Sequence, residues 1–168
     1  PGDSEGTAVL TQADGSIFIH AVSDYTVAPT TYRDALVIKL TSSGAFDTTY
    51  AASSVTPGVK SLSISQTTYA GGSSAFAFDS VGRLVVVGST LNSSTKSSYV
   101  ARLLTNGEYD TTFNSIGYLE VLTPTETSFS SVAITTGDKI VIGGSRRIGS
   151  GSETGAIVAK FKADGTPD

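Results

Sequence analysis

The sequence predicts an all-β protein built from repeats, and its composition and internal similarity are the two observations that predict it. Gly, Ser, Thr and Val are abundant among the 168 residues, whereas the strong helix formers Leu, Glu, Lys and Gln are sparse. Hydrophobic residues make up 39% of the chain and charged residues 15%, which is the balance of a folded domain rather than of a disordered chain. We therefore expect a single domain, residues 1–168, with a β-structured core.

One segment occurs three times, as ALVIKLTSSGAFDTTY (35–50), SYVARLLTNGEYDTTF (98–113) and AIVAKFKADGTPD (156–168). The copies align without a gap, so that apolar, basic, glycine and aspartate positions coincide. The coinciding sets are Val37, Val100 and Val158; Lys39, Arg102 and Lys160; Gly44, Gly107 and Gly165; and Asp47, Asp110 and Asp168. Each copy is expected to be a strand that ends in a Gly-containing turn.

A second element precedes each copy, at residues 8–22, 75–89 and 132–145. It consists of a short apolar run, a turn that contains Gly, and a β-branched run, which together indicate a β-hairpin. A further strand is expected after the first two copies, at residues 59–65 and 118–122. Each complete repeat therefore contributes four strands.

Four antiparallel strands per repeat form the blade of a β-propeller. The expected fold is thus a β-propeller-like repeat protein with three four-stranded antiparallel blades, at about residues 5–70, 71–127 and 128–168. The last blade is expected to be incomplete, because the sequence reaches Asp168 before a fourth strand. Closed propellers have about four to eight blades, so three blades leave open edges. We expect a homo-oligomer, a dimer or trimer, or else part of a larger chain.

At these residues the sequence resembles the bacterial delta-60 repeat β-propeller family. That pattern runs from an apolar strand through an Asp-Gly-Lys turn and a Val-rich strand to Arg-Leu, Asp-Gly and Asp-Thr-Thr-Phe. The matching residues are Asp14-Gly15, Gly82-Arg83, Asp138-Lys139 and the Asp-Thr-Thr runs that begin at Asp47 and Asp110. The resemblance implies a repetitive β fold on a secreted or surface protein, and it brings no catalytic residues with it. Val81-Gly82 and Gly137-Asp138 depart from the Asp-Gly of the pattern.

Charge and composition exclude several functions. The net charge is −4 and the basic residues are scattered, which argues against nucleic-acid binding. No apolar run is long enough to span a membrane. Without Cys there are no disulfides, thiolate metal sites or cysteine nucleophiles. The Ser/Thr/Gly-rich, Cys-free composition and the absence of Met favour a processed extracellular or cell-surface protein, or a piece of one.

The basic and acidic residues that recur eight positions apart have two interpretations. They could form three equivalent ligand sites, or a structural ion pair in each blade, and we favour the structural interpretation because residues found in every blade usually stabilise the blade. The turn residues Asp14, Asp79, Asp138 and Asp164 lack the Asp-x-Asp-x-Asp spacing of a calcium loop. No metal and no cofactor is therefore expected.

The residues give little support to catalysis. His20 is the only histidine, it lies at the end of an apolar run, and we expect it to be packed or at a rim. No nucleophile-elbow motif is present. Asp24 and Asp34 fall in one predicted loop, and the carboxylate pair of a glycoside hydrolase is the one catalytic arrangement left open. We expect a non-catalytic protein.

Ligand binding is predicted on the connections between the second and third strands, residues 22–34, 89–98 and 145–154, which differ between repeats while the frame stays constant. The candidate ligand-binding residues are Asp24, Tyr25, Tyr32, Arg33, Asn92, Lys96, Arg146, Arg147 and Glu153, and the blade-to-blade connections add Tyr69 and Glu126. Adjacent Arg146 and Arg147 are either a flexible hairpin tip or an anion contact.

Tyrosine beside Asp, Asn and Arg suits both sugars and protein surfaces. We therefore expect an extracellular recognition or adhesion module that contacts a cell-surface glycan or protein, as the head of a larger surface or fibre protein. Two alternatives stay open at this point: purely structural blades of a longer propeller, and a glycoside hydrolase-like enzyme.

Overall fold

A computed structural model describes residues 4–27, 30–62, 64, 69–70, 75–92, 95–121, 126–149 and 153–168, and all their regular secondary structure is antiparallel β-strand. The first blade holds β1 (Ser4–Thr11), β2 (Ile17–Val27), β3 (Thr30–Leu40) and β4 (Val59–Leu62). The second holds β5 (Tyr69–Ala70), β6 (Ala75–Phe78), β7 (Leu84–Asn92), β8 (Thr95–Leu103) and β9 (Tyr118–Val121). The third holds β10 (Thr127–Thr135), β11 (Lys139–Arg147) and β12 (Thr154–Phe161).

The three sheets are the three blades, and they confirm the all-β fold class. Blade 1 has the order β1-β2-β3-β4 and blade 3 the order β10-β11-β12. In blade 2, β5 and β6 both pair with β7, at successive stretches of that strand, so they occupy one strand position and the blade is four strands wide. The predicted repeat boundaries placed Tyr69 in the first repeat and Thr127 in the second. In the structure Tyr69 lies in blade 2 and Thr127 lies in blade 3.

The outer edge of blade 3 is open in the described part of the chain. In blades 1 and 2 the third strand pairs with a fourth through Ala35–Ile38 and Ser98–Ala101. The equivalent stretch of β12, residues 156–159, pairs only with β11 among the described residues. The third blade is thus the incomplete one, as the sequence predicts.

The prediction of long loops between the second and third strands is wrong. Most of residues 22–34, 89–98 and 145–154 continue the β-hairpins, with regular pairing up to Val27 opposite Thr30 and Asn92 opposite Thr95. Strand pairing satisfies backbone groups that a loop of that length would leave to water. These stretches contain many polar residues because they extend beyond the core, where no apolar alternation is required.

The core lies between blades rather than within them. One cluster joins blades 1 and 2, and a second joins blades 2 and 3. Alternate residues of a strand point to opposite faces, so blade 2 is covered on both faces. Its run Leu84–Val87 is accordingly buried at every position, which explains why it is continuously apolar rather than alternating.

An aromatic ring and a glycine repeat at the two blade interfaces. The Tyr50 ring lies against Gly107 of blade 2, and the Phe113 ring lies against Gly165 of blade 3. In each case a ring carbon is 2.9 Å from the point that a Cβ on the glycine would occupy. Backbone bonds accompany the rings: the Ala51 N–H donates to the Asn106 carbonyl at 2.7 Å.

The predicted ion pairs form in all three blades. The N–O distances are 2.9 Å for Lys39–Asp47, 2.8 Å for Arg102–Asp110 and 2.7 Å for Lys160–Asp168. Asp47 also accepts a 2.6 Å bond from the hydroxyl of Thr49, and Asp110 accepts one of the same length from Thr112. The Thr49 bond and Lys39 lower the pKa of Asp47 to about 2. These ion pairs and hydrogen bonds stabilise the turns that contain the aspartates.

The turn aspartates hold their turns as well. Asp14 accepts bonds from the hydroxyl and N–H of Ser16, and Asp164 accepts the same pair of bonds from Thr166. Within the described ranges no three His, Asp or Glu residues converge as a metal site. No helix in the same ranges has the length and apolar character needed to cross a membrane.

Candidate binding site on the hairpin arms

The second and third strands of each blade form a hairpin that extends past the core, and we call these extensions the hairpin arms. Arm 1 comprises residues 22–27 and 30–34, arm 2 residues 89–92 and 95–98, and arm 3 residues 145–149 and 153–154. Because equivalent residues make the contacts at both blade interfaces, the three arms lie at the same edge of the molecule. All nine candidate ligand-binding residues fall on them or at their tips.

Arm 1 carries a cross-strand ion pair. Asp24 and Arg33 are directly opposite each other in the β2–β3 register. The guanidinium donates two bonds to the carboxylate, from Nε to Oδ1 and from Nη2 to Oδ2, the second at 2.6 Å. The Arg33 bonds lower the pKa of Asp24. Tyr25 and Tyr32 are the next opposite pair, and the side chain of Tyr25 lies outside the described residues.

The two aspartates considered for glycoside hydrolysis lie on opposite faces of blade 1. Asp34 is opposite Ser23, the neighbour of Asp24, so the strand alternation sends the two carboxylates apart. Asp34 accepts a 3.2 Å bond from the Ser61 hydroxyl, whereas Asp24 binds Arg33. These two carboxylates cannot flank one glycosidic bond.

Arm 2 is built on buried hydroxyl groups. Ser89, Thr90, Ser97 and Ser98 are all buried at its base. The Ser98 hydroxyl accepts a 3.2 Å bond from the Phe129 N–H, which fastens blade 3 to the arm. Asn92 and Lys96 are opposite Thr95 and Leu91 in the register, and their side chains lie outside the described residues.

Arm 3 borders a shallow groove of about 160 Å³. Its lining residues are Glu126, Thr127, Ser128, Ser145, Arg146, Arg147 and Thr154. Arg147 closes one side, since its guanidinium lies 3.3 Å from the Glu126 carboxylate and its N–H donates to the Glu126 carbonyl. Glu153 lies at the tip, where its carbonyl accepts the Ile148 N–H.

Arg146 is the cation of this groove that has no carboxylate partner within the described ranges. It lies opposite Thr127 in the β10–β11 register and is exposed. The Thr127 hydroxyl is buried, and no described group bonds to it. The exposed guanidinium of Arg146 is suited to an anionic or polyhydroxylated ligand. Sequence reasoning found Arg146 but missed Thr127, because single hydroxyl residues carry no motif.

The structure keeps the predicted residues in separate groups. Asp24 and Arg33 form one pair on blade 1, and Arg147 joins Glu126 on blade 3. His20, expected to be packed or at a rim, is packed: it is fully buried and its Nδ1 is 2.6 Å from the Thr7 hydroxyl. Burial lowers the pKa of His20 to about 4.

The repeat also matches a known family model. Residues 82–113 and 138–168 match the model described as a domain of unknown function (DUF5122), beta-propeller. In the structure, each stretch runs from the turn of a blade's first hairpin through the second and third strands into the aspartate turn. The chain is a β-propeller repeat domain. No curated protein matches it. In this propeller the matched stretches contain the arms of blades 2 and 3.

Proposed function

We propose that this propeller domain is a non-catalytic extracellular recognition module that contacts a cell-surface glycan or protein through its hairpin arms. In this proposal the repeat is of the delta-60 type, and the domain forms the head of a larger surface or fibre protein. The observation that carries the proposal is the contrast between blade frame and arms. The charged residues shared by the three blades are bound to one another, whereas the groove on arm 3 presents Arg146 to solvent.

The carboxylates support a non-catalytic function. A general acid for glycoside hydrolysis needs a carboxyl group with a raised pKa. Every described carboxylate with a resolved shift has its pKa lowered, by hydrogen bonds or basic neighbours: Asp14, Asp24, Asp47, Glu108, Asp110, Asp138, Asp164 and Asp168. Groups of this kind stay ionised at neutral pH and act as acceptors in turns and ion pairs.

The proposal can be tested on glycan arrays and on intact cells. The double variant Arg146→Ala, Arg147→Ala should lose binding to acidic glycans while its thermal unfolding stays close to that of the wild type. Lys162→Ala is the matched control, because Lys162 is an exposed cation in the turn at the other end of blade 3. If the double variant binds as well as the control, arm 3 is not the recognition surface.

A second candidate function is a structural one, as blades of a longer propeller. It is favoured by the two outer blade faces, which are apolar and which no described residue covers: Val9 on blade 1 is 63% exposed and Val158 on blade 3 is 76% exposed. A structural segment would bind no glycan or cell surface in the same assays, whichever arm residues are changed.

A further inference from the structure

The outer faces of blades 1 and 3 repeat the two halves of the interface between blades 2 and 3. We call the side of a blade that packs on the following blade its front face, and the opposite side its rear face. The front face of blade 2 presents Val85, Val87 and Val100 to blade 3. The rear face of blade 3 presents Ile140, Ile142 and Phe161 in return. At this interface the larger side chains of the rear face cover the smaller ones of the front face.

The front face of blade 3 carries small side chains, like the front face of blade 2. Val141, Gly143 and Val158 occupy the positions of Val85, Val87 and Val100 in the register of the sheet. The two equivalents of Val158 in the other blades, Val37 and Val100, are 0% exposed. Val158 differs from them in having no following blade on it among the described residues.

The rear face of blade 1 carries large side chains, like the rear face of blade 3. Ile17, Ile19 and Leu40 occupy the positions of Ile140, Ile142 and Phe161. Val9, which is paired with Ile19, is the equivalent of the buried Phe76 in blade 2. An apolar sheet face of this composition is a recognition surface by its chemistry, and its shape has a complement at the other end of the same chain.

We propose that two copies of this chain associate head to tail, with the front face of blade 3 in each copy covering the rear face of blade 1 in the other. The pairing is heterologous, and used twice it closes a two-fold ring. The ring would contain six blades, within the range of about four to eight at which propellers close. The interface between copies would then have the same construction as the interface between blades 2 and 3 within each copy. This assembly does not depend on what the hairpin arms bind.

One position of the proposed interface, at Gly44, is not filled by any residue that the structure describes. Gly107 and Gly165 each contact the aromatic ring of the preceding blade, three residues after its aspartate. Gly44 is their equivalent and has the same positive φ, +84°, yet no atom lies within 4 Å of its Cβ position. The blade 3 aspartate, Asp168, is followed by no aromatic residue in the 168-residue sequence. Adding Thr-Thr-Phe after Asp168 should therefore place a ring on Gly44 of the other copy.

The first test is the mass of the chain by light scattering over a range of concentrations. We expect a dimer, and a monomer for Val158→Glu. Ile116→Glu is the control, since Ile116 is a half-exposed apolar residue on neither outer face. The Thr-Thr-Phe extension should tighten the dimer by about a hundredfold to ten-thousandfold, because each of the two interfaces would bury one Phe ring and each ring contributes about tenfold to a hundredfold. Adding Gly44→Ala to the extended chain should abolish that gain.

Cross-linking tests the orientation, because the chain has no cysteine of its own. Val9→Cys and Val158→Cys are made separately, since their equivalents share a core cluster at the internal interfaces. A disulfide-linked dimer should form when the two proteins are mixed and not with either alone. A monomer that the extension leaves unchanged would overturn the proposal. Cross-links of Val158→Cys with itself, or particles larger than a dimer, would overturn the head-to-tail ring.

Discussion

The Tyr50 ring lies over Gly107 of the following blade at the distance of direct packing, with Cε2 2.9 Å from the site of an added Cβ. Tyr50 is fully buried there. The same ring position is filled by Phe113 over Gly165. Glycine is required at this position for two reasons: its φ is positive, and a side chain would meet the ring. This contact couples the turn of one blade to the turn of the next.

Gly107→Ala should therefore destabilise the fold more than Gly44→Ala. Both glycines have φ near +85°, so each substitution carries about 1–2 kcal/mol of backbone strain. Only at Gly107 does the new methyl group meet a ring and a backbone nitrogen, which adds about 1–3 kcal/mol of overpacking. Urea unfolding of both variants measures the difference. Equal losses would mean that the ring contact does not restrict the position.

The fold was predictable from the sequence because the three copies of the repeat could be compared with one another. Three copies placed Val37, Val100 and Val158 at the same position of the third strand of each blade, and the ion pair of Arg102 with Asp110 followed from the same alignment. The ring over glycine could have been found in this way too, since Tyr50 and Phe113 both stand three residues after an aligned aspartate.

The arms could not be predicted as strands, for a physical reason. Beyond the core a strand needs no apolar alternation, so residues 22–34 have the composition of a loop while their backbone groups pair as a hairpin. The Asp24–Arg33 pair depends on that register, and a shift of one residue would remove it. Whether the nine arm residues bind a ligand stays a prediction, and the sequence contained no motif for the hydroxyl of Thr127.

Burial should make one repeated ion pair far more important than its equivalent. Arg102 is 2% exposed and also donates to Thr112 at 3.0 Å and to the Ala163 carbonyl. Arg102→Met removes these bonds and leaves Asp110 buried with only Arg83 as a basic neighbour, at 3.2 Å. We expect a loss of about 3 kcal/mol in unfolding free energy, the lower end for breaking a buried pair.

Lys160→Met is the matched control for that loss, because Lys160 occupies the same position in blade 3 and is exposed. Solvent weakens its pairing with Asp168, so the variant should unfold close to the wild type. Both are measured in the same urea titration. Similar losses in the two variants would show that burial does not set the strength of the repeated pair.

The Asp24–Arg33 pair should stabilise arm 1 locally rather than the whole fold. The two side chains are partly exposed and lie beyond the core clusters, so their removal leaves the blade interfaces intact. In a double-mutant cycle with Asp24→Asn and Arg33→Met, the coupling should be small and should fall as salt is added. Hydrogen exchange of the β2–β3 amides near the tip should accelerate while that of Val37 stays slow. A uniform acceleration would contradict a local role.

Acid should destabilise the protein in two overlapping pH windows, and the upper one belongs to His20. Its pKa is about 4 in the folded protein because burial disfavours the charged ring, and 6.5 is the usual value. Between these two pH values the unfolded chain binds a proton on His20 and the folded chain does not. The stabilisation present above pH 6.5 is therefore lost as the pH falls towards 4. The difference corresponds to about 3 kcal/mol. Carboxylates such as Asp47, with a pKa of about 2 in the folded protein, contribute only below about pH 5, where the unfolded chain begins to protonate them.

Unfolding free energy measured from pH 8 to pH 3 tests this assignment, with His20→Val as the variant. Valine is the residue that blade 2 carries at the equivalent position, Val87, where it is fully buried. The variant should be flat between pH 6.5 and about 5 and should fall with the wild type below that range, where the carboxylates begin to titrate. If the slope above about pH 5 persists in the variant, its source is another group, and His20 is not the residue that limits stability in mild acid.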